Sequence, residues 1–299
     1  MGLAIHQQIN PMSNLRYAFF GSPRFAKIVL TQLIEAHLIP TVLICNPDRP
    51  SGRKKILTAP ETKIFLQTNL PSVPILQPED PTAPDFAAKL QSFRLDISII
   101  AAYSKILTQS VLAAATHGTV GVHPSLLPQL RGASPIQSAI LRGFSHTGVT
   151  LYLVDEKMDH GPIIGQTEPI EIADQNYIQL ADKLAFLGGK LAAELIPKFI
   201  AGSLLPQSQE HSLATFTKRF TTEDGYIPWD DLVTAHTTGQ GSIEILRKIR
   251  ALCSEPGCYT ISPDARRIKL LNGQIAASKL TITEWLADGM HRPSSLPLL

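Results

Sequence analysis

Two residues of this sequence have a setting that suggests acid–base chemistry, and His123 is the first candidate. The apolar run 118–123 predicts a buried strand that ends at His123, and the proline-flanked run Pro-Ser-Leu-Leu-Pro follows as a stiff loop. An imidazole at the end of a strand can share a proton near neutral pH or stabilise developing negative charge. A histidine with a purely structural role is the competing interpretation.

Asp159 is the second candidate. It lies in the polar segment 155–162, between two predicted strands. A carboxylate on such a loop can orient an imidazole and stabilise its protonated form, as in acid–base pairs generally. An ordinary turn rich in Asp and Gly would give the same local pattern, so the pairing stays open at this point.

The elements that must position these two residues alternate along the chain from Tyr17. Strands are predicted over 17–20, 41–45, 73–76, 97–102, 118–123 and 148–154, and helices over 24–37, 61–69, 82–93, 134–141 and 177–200. Buried strands joined by helices are typical of a Rossmann-like, doubly wound, mostly parallel α/β sheet. Ligands of such sheets bind beyond the carboxyl ends of the strands, and we place His123 there.

The character of the sequence changes after residue 201. Residues 202–212 have the composition of a linker, and short strands are predicted over 214–217 and 257–261, with a hairpin turn at Asn272–Gly273 and one helix over 243–252. We therefore predict an N-terminal extension (1–14, flexible), a catalytic α/β domain (15–201), a linker (202–212) and a small C-terminal β-barrel domain, OB-like (213–299).

Composition excludes several classes of protein. The chain of 299 residues has a formal net charge of +2 and only three cysteines, too scattered for a disulfide framework or a zinc ribbon, so no metal site is expected. No apolar run reaches the roughly 18 residues of a membrane span, and the start lacks the pattern of a signal peptide. We expect a reducing, cytoplasmic location and no contact with a membrane.

The motifs around His123 resemble those of the methionyl-tRNA formyltransferase family. The run GVHPSLLPQLRGASPIQ, beginning at Gly121, is similar to the family signature, and TGVT from Thr147 and MDHG from Met158 resemble two later family elements. Further matches are FGSP from Phe20, PDRPSGRKK from Pro47, and the C-terminal RAL from Arg250 and PG from Pro256. Together they extend from Tyr17 to about Gly273.

The resemblance implies transfer of a formyl group from 10-formyltetrahydrofolate to a primary amine, through a tetrahedral intermediate with a negative oxygen. His123 matches the family's catalytic histidine and Asp159 its positioning carboxylate. The family's oxyanion-binding Asn is replaced by Gly121. Three explanations are open: a backbone N–H or water substitutes, a side chain such as Ser125 or Asn46 moves in, or activity is reduced or altered.

The same resemblance implies a folate site along three segments. One follows the strand that ends near residue 102, one follows His123, and one precedes Asp159. The residues assigned to folate are Ala102, Tyr103, Ile106, Leu107, Ser125, Leu126, Leu127, Pro128, Val154, Asp155, Glu156, Lys157 and Met158.

The acceptor amine is predicted from the basic loop 47–60, which in the family inserts at the acceptor arm of tRNA. A second basic set lies in the C-terminal part, although acidic residues are equally frequent there, and a solvated charged surface is the competing interpretation. The predicted tRNA-binding residues are Arg49, Arg53, Lys54, Lys55, Lys218, Arg219, Arg247, Lys248 and Arg250. The predicted partners are initiator methionyl-tRNA and folate, for a monomeric enzyme. A small-amine formyltransferase, or a catalytically impaired folate- or tRNA-binding homologue, is the alternative.

Overall fold

A computed structural model describes residues 15–51, 55–295 and 298–299. The predicted N-terminal extension 1–14, and Arg53 and Lys54 of the basic loop, lie outside these residues. The strands are β1 (Tyr17–Phe20), β2 (Val42–Ile44), β3 (Arg49–Ser51), β4 (Ile56–Thr58), β5 (Ile75–Leu76), β6 (Ile97–Ile100), β7 (Thr119–His123), β8 (Arg131–Gly132), β9 (His146–Thr147), β10 (Thr150–Leu153), β11 (Ile163–Gln166), β12 (Ile170–Glu171), β13 (Phe216–Thr217), β14 (Cys258–Ile261), β15 (Arg267–Ala276) and β16 (Lys279–Ala287). The helices are α1 (Arg24–Glu35), α2 (Glu61–Asn69), α3 (Pro84–Ser92), α4 (Gln109–Leu112), α5 (Pro135–Leu141), α6 (Tyr177–Ile200), α7 (Trp229–Thr237) and α8 (Ser242–Leu252).

A seven-stranded sheet forms the centre of the fold, in the order β11-β10-β7-β6-β1-β2-β5. The five strands from β7 to β5 are parallel to one another. Strand β10 is antiparallel to β7, and β11 is antiparallel to β10. Every residue of β1, β2 and β7 is buried, because helices cover both faces of the sheet. The predicted mostly parallel α/β sheet is confirmed.

Two glycine positions allow close packing around this sheet. A Cβ atom at Gly21 would lie 2.6 Å from the carbonyl oxygen of Ala101, where β1 and β6 lie side by side and the strand order reverses. Gly188 in α6 has the same function against β7, since a Cβ there would lie 2.8 Å from Val122. Any larger residue would push the helix away from the strand that ends at His123.

The C-terminal part contains a three-stranded antiparallel sheet in the order β14-β15-β16, so the small β domain is confirmed. The predicted turn at Asn272–Gly273 is wrong: both residues lie inside β15, at an irregularity of the β15–β16 register. The chain instead turns at Ala277 and Ser278, with φ of 49° and 68°. This is the left-handed conformation that two-residue hairpin turns require.

The sequence prediction also missed helix α7. Only Leu232 and Ala235 of its nine residues are buried, so the segment lacks the apolar stripe that identifies a surface helix. Its start follows Pro228, and Asp230 and Asp231 lie in its first turn, where acidic side chains are favoured.

The residue contacts divide the chain into two compact units. The first contains the described residues up to Pro128, with Val149–Thr167 and Leu184–Ser212; the second contains Gln129–Gly148, Glu168–Lys183 and Leu213–Leu299. The predicted domains follow chain order instead, and 129–148 and 168–183 were placed with the catalytic part. Two contacts explain their grouping here: β13 pairs in parallel with β8, and Arg250 donates to the backbone of residues 173–175. The boundaries 15–201 and 213–299 stay predictions.

Candidate active site

His123 is the last residue of β7, at the carboxyl edge of the parallel strands, as the sequence predicts. Its side chain is 7% exposed, and Nδ1 lies 3.6 Å from Oδ2 of Asp159. This distance exceeds that of a hydrogen bond but allows an ion pair when the imidazole is protonated. The two predicted catalytic side chains therefore lie together, although they are 36 residues apart in sequence.

Asp159 reaches this position by a route that the sequence did not indicate. Because β10 is antiparallel to β7, Val154 at its end donates to Thr119 at the start of β7, at 2.8 Å. The loop 154–162 must therefore return along the strand before Asp159 can approach His123 at the other end.

The return of the loop depends on two unusual backbone positions. Asp159 has a φ of 49°, in the left-handed region that aspartate tolerates better than most residues. Gly161 packs so closely on the backbone of Leu153 that a Cβ atom there would overlap the Leu153 carbonyl oxygen. Glycine at 161 is thus required for the approach of Asp159 to His123.

Gln209 fixes the same loop from the segment predicted to be a linker. Its side chain is buried, and Nε2 donates to the carbonyl oxygens of Asp159 and Gly161, at 2.9 and 2.8 Å. The neighbouring Gln207 exchanges two backbone hydrogen bonds with Ile163 at the start of β11. Residues 202–212 thus include a structural support for the loop that carries Asp159, which their linker-like composition did not indicate.

Thr150 holds the loop that follows His123. Its hydroxyl donates to the carbonyl oxygen of Ser125 at 2.7 Å and accepts the N–H of Leu127 at 3.0 Å. The amide of Gln166 donates to both Thr150 Oγ1 and the Leu127 carbonyl, at 2.9 Å each. The sequence included Thr150 only as part of a motif and did not identify Gln166, because the contact joins adjacent strands.

Gly121 faces Tyr152 across the β7–β10 pair. A Cβ atom at position 121 would lie 2.7 Å from Cζ of Tyr152 and 2.9 Å from its hydroxyl oxygen. The space beside Gly121 is therefore occupied by the tyrosine ring. The three atoms nearest to that Cβ all belong to Tyr152, and the side-chain amide of Asn46, one of the suggested replacements, donates to Ser104 at 3.2 Å.

The predicted folate residues lie in three loops of the first unit. Ala102 has a φ of 48°, Tyr103 packs edge-on against Phe20 at 5.6 Å, and Ile106 exposes 84% of its surface. Leu107 packs with Tyr103 against the core. Burial raises the pKa of Tyr103 to about 12, and its hydroxyl is buried without a hydrogen-bond partner in the described structure.

The second and third predicted folate loops differ in exposure. Ser125 and Leu127 are buried, Leu126 and Pro128 are half-buried, and the Leu127–Pro128 peptide is cis. In the other loop, Val154 and Asp155 are half-buried, whereas Glu156, Lys157 and Met158 are exposed. Asp155 accepts hydrogen bonds from His160 Nδ1 at 2.7 Å and from the N–H of Lys157 at 3.0 Å, and so shapes this loop.

The basic loop forms a two-stranded hairpin of β3 and β4. Arg49 pairs with Glu79 at 2.6 Å, and Lys55 is exposed, with a φ of 47°. Beside it, Ile56 and Leu57 expose 63% and 67% of their surface. An exposed lysine beside two exposed apolar side chains is typical of a binding surface.

The predicted basic residues of the second unit differ in their contacts with the rest of that unit. Lys218 pairs with Asp224, and Arg219 is exposed. Arg247 places its guanidinium over Gly143, and Lys248 donates to the carbonyl oxygen of Tyr226 at 2.7 Å.

Arg250 has a structural function in the same unit. It donates to the carbonyl oxygens of Ala173 and Gln175, pairs with Asp174 at 3.2 Å, and its side chain is only 14% exposed. Burial lowers the pKa of Arg250, and the Asp174 charge opposes that effect. A guanidinium engaged in this way has little surface left for a phosphate.

Within residues 15–51, 55–295 and 298–299, no group of His, Cys, Asp or Glu is arranged to share a metal ion, and no helix is long and apolar enough to cross a membrane. Burial raises the pKa of both the Cys45 and Cys258 thiols to about 12, so neither is a reactive nucleophile at neutral pH.

Comparison with known families defines the class of protein. The family model described as formyl transferase matches residues 15–196, which include His123 and Asp159. Relatives called methionyl-tRNA formyltransferase match most of the chain: the one from Chloroflexus aurantiacus is 37% identical over 282 residues, covering 94% of this chain and 84% of that protein. The relative from Roseiflexus sp. (strain RS-1) is 38% identical, with 89% and 78% covered. The chain therefore belongs to the methionyl-tRNA formyltransferase family, and the predicted membership is confirmed.

Solved structures support the fold. A methionyl-tRNA formyltransferase from Clostridium thermocellum superposes with a TM-score of 0.59 at 17% identity, over 95% of this chain and 99% of that one. A 4-N formyltransferase from Francisella tularensis gives 0.64 at 16% identity, over 85% and 96%. Because both identities are low, these matches establish the fold and do not identify the amine that accepts the formyl group.

Proposed function

We propose that this chain transfers the formyl group of 10-formyltetrahydrofolate to the amino group of initiator methionyl-tRNA. The observation that carries this proposal is the pair of His123 and Asp159, 3.6 Å apart at the carboxyl end of a parallel strand, in a chain whose relatives carry the methionyl-tRNA formyltransferase name over most of their length.

His123 acts on the proton of the acceptor amine. An amine that attacks a carbonyl carbon becomes more acidic as its bond forms, so a neutral imidazole at the reaction centre can accept that proton. Asp159 stabilises the resulting imidazolium through the charge on Oδ2 and keeps the ring oriented. Burial of both side chains strengthens this interaction, because little water screens it.

The folate donor supplies an activated N-formyl group. The loops at 102–107, 125–128 and 154–158 suit its rings, since Leu126 is half-buried and Ile106 and Met158 expose large apolar surfaces. Thr150 and Gln166 hold the middle loop rigid, so the apolar wall is preformed before the donor binds.

A direct assay tests the proposal. Purified protein is incubated with 10-formyltetrahydrofolate and charged initiator tRNA, and formyl-methionine is measured after deacylation, with charged elongator methionyl-tRNA as the comparison acceptor. We expect product from the initiator tRNA, and its absence while a known family enzyme works in parallel would refute the function. His146→Ala is the matched control for His123→Ala, because His146 is exposed in the other unit.

Formylation of a small amine, such as an amino sugar nucleotide, is the alternative activity. Solved N-formyltransferases share the fold, including one from Helicobacter canadensis in complex with folinic acid and dTDP-3-aminofucose, with a TM-score of 0.62. Activity on small amines that does not change with salt, together with no product from tRNA, would favour it. A homologue that binds folate but gives no product with any acceptor would instead be catalytically impaired. The monomeric state and cytoplasmic location stay predictions.

A further inference from the structure

Tyr152 and Gly121 form a complementary pair on the catalytic face of the sheet. In the antiparallel pairing of β7 with β10, Gly121 lies opposite Tyr152 and His123 lies opposite Thr150. Residues directly opposite in such a pair point to the same face, and alternate residues of one strand share that face. Gly121, His123 and Tyr152 are therefore on one side of the sheet, where Asp159 also lies.

The tyrosine ring fills the space that glycine leaves. A Cβ atom at position 121 would approach Cζ and the hydroxyl oxygen of Tyr152 to 2.7 and 2.9 Å, well inside van der Waals contact. The ring also packs edge-to-face on the His123 imidazole, with centroids 6.4 Å apart and an interplanar angle of 89°. Tyr152 of β10 thus packs against both Gly121 and His123 of β7.

The hydroxyl of Tyr152 bonds to the catalytic carboxylate. It donates to Oδ1 of Asp159 at 2.7 Å, while Oδ2 of the same carboxylate faces Nδ1 of His123. Burial raises the pKa of Tyr152, and the charge of Asp159 raises it further, so the hydroxyl keeps its proton. A protonated hydroxyl fixed by its ring leaves the carboxylate little freedom to rotate.

We propose that Tyr152 is a positioning residue for formyl transfer, whose hydroxyl holds Asp159 with Oδ2 towards His123 in the space that Gly121 opens. This inference rests on the proposed function, which supplies the reaction that Asp159 and His123 serve. With glycine at position 121, β7 offers no side chain there. The polar group beside Asp159 is instead the hydroxyl of Tyr152, which comes from the facing strand β10.

Tyr152→Phe tests the inference because it keeps the ring and removes only the hydroxyl. We expect kcat to fall roughly 10- to 100-fold, the effect of losing one hydrogen bond to a charged group, with KM for both substrates within about twofold.

Tyr17→Phe is the matched control. Tyr17 is fully buried, and its hydroxyl donates to the Leu38 carbonyl at 2.8 Å, so this variant also loses one buried hydrogen bond. We expect its kcat and KM values to match those of the wild type. A Tyr152→Phe variant with kcat within twofold of wild type would overturn the positioning role.

Failure of the proposed function would look different. If the wild-type protein formylates no acceptor, nitrogen-15 NMR of the His123 ring still tests Tyr152. We expect Asp159 to hold one tautomer, with the proton on Nδ1, in the wild type and in Tyr17→Phe, and a mixture of tautomers in Tyr152→Phe. Identical ring spectra in all three proteins would refute the inference independently of turnover.

Discussion

The side-chain amide of Gln209 bonds to the two carbonyl oxygens that flank His160, those of Asp159 and Gly161. A residue 50 positions beyond Asp159 thus fixes the backbone from which the Asp159 carboxylate projects. The orientation of Asp159 is set from two sides, by Gln209 at its backbone and by Tyr152 at its carboxylate.

Gln209→Glu should lower both stability and activity. The change replaces an N–H donor by an oxygen that repels the two carbonyl groups, so we expect a loss of about 1–3 kcal/mol in the free energy of unfolding. We also expect kcat to fall at least roughly tenfold, because Asp159 shifts relative to His123. Urea unfolding and turnover measure the two effects. Gln207→Glu is the control, since that side chain is exposed; equal losses in both variants would contradict a specific role for Gln209.

His123→Ala and Asp159→Asn should each reduce kcat by about a hundredfold or more, the usual scale for acid–base and orienting groups. The double variant should be little worse than either single one, because the two side chains act as a unit. Steady-state kinetics of the four proteins gives the result. Asp230→Asn and His146→Ala, both exposed, should remain fully active. Near-normal turnover in either site variant would disprove the assignment.

Gly121→Asn should impair the protein and not repair it. Its Cβ would be forced against the ring of Tyr152, and overpacking of this kind costs about 1–3 kcal/mol of stability. Tyr152→Ala alone leaves a cavity, whereas in the Gly121→Asn background it also relieves the clash, so the second change should cost less there than in the wild type. A double-mutant cycle in urea measures the coupling. Additive effects of the two changes would show that the side chains do not compete for this space.

Lys55→Glu should weaken tRNA binding without affecting folate. The side chain is exposed on the hairpin of β3 and β4, so charge reversal adds repulsion from phosphates. We expect KM for tRNA to rise several-fold, and the slope of log K against log salt to become shallower by about one. Lys279→Glu, exposed at the β15–β16 turn, is the control. An unchanged KM would remove this hairpin from the acceptor site.

Arg250→Ala should act through folding. Loss of its bonds to residues 173–175 should lower the free energy of unfolding by about 2 kcal/mol or more, because three partners are left unsatisfied. The salt dependence of KM for tRNA should stay as in the wild type. Arg266→Ala is the comparison: its side chain pairs with exposed Asp264, and its loss should leave the free energy of unfolding nearly unchanged. A shallower salt slope without lost stability would instead make Arg250 a tRNA contact.

Local sequence pattern predicted the elements well where burial is strong and periodic. Helix α6 was predicted over the residues where it occurs, and β7 ends at His123 as expected. The turn at Asn272–Gly273 failed because pairing with β16 continues through a bulge and overrides the turn preference of those residues.

The contacts of Tyr152 and Gln209 with Asp159 could not be predicted from the sequence, for a different reason. Tyr152 has the type expected of a buried strand residue, and nothing local shows that it faces Gly121. That relationship depends on the register of two antiparallel strands, and the contact of Gln209 depends on the path of a distant segment. Long-range register of this kind is a property of the folded chain.

The fit of Tyr152 against Gly121 also constrains how such a site can arise by successive point mutations. Since the tyrosine ring and any β-carbon at position 121 exclude each other, a lineage that began with a larger residue at 121 must acquire the glycine first. The glycine intermediate has an unfilled space beside the histidine until the tyrosine appears. Once Tyr152 is present, its ring excludes any side chain at position 121, so the change to glycine cannot be reversed unless the tyrosine is lost first.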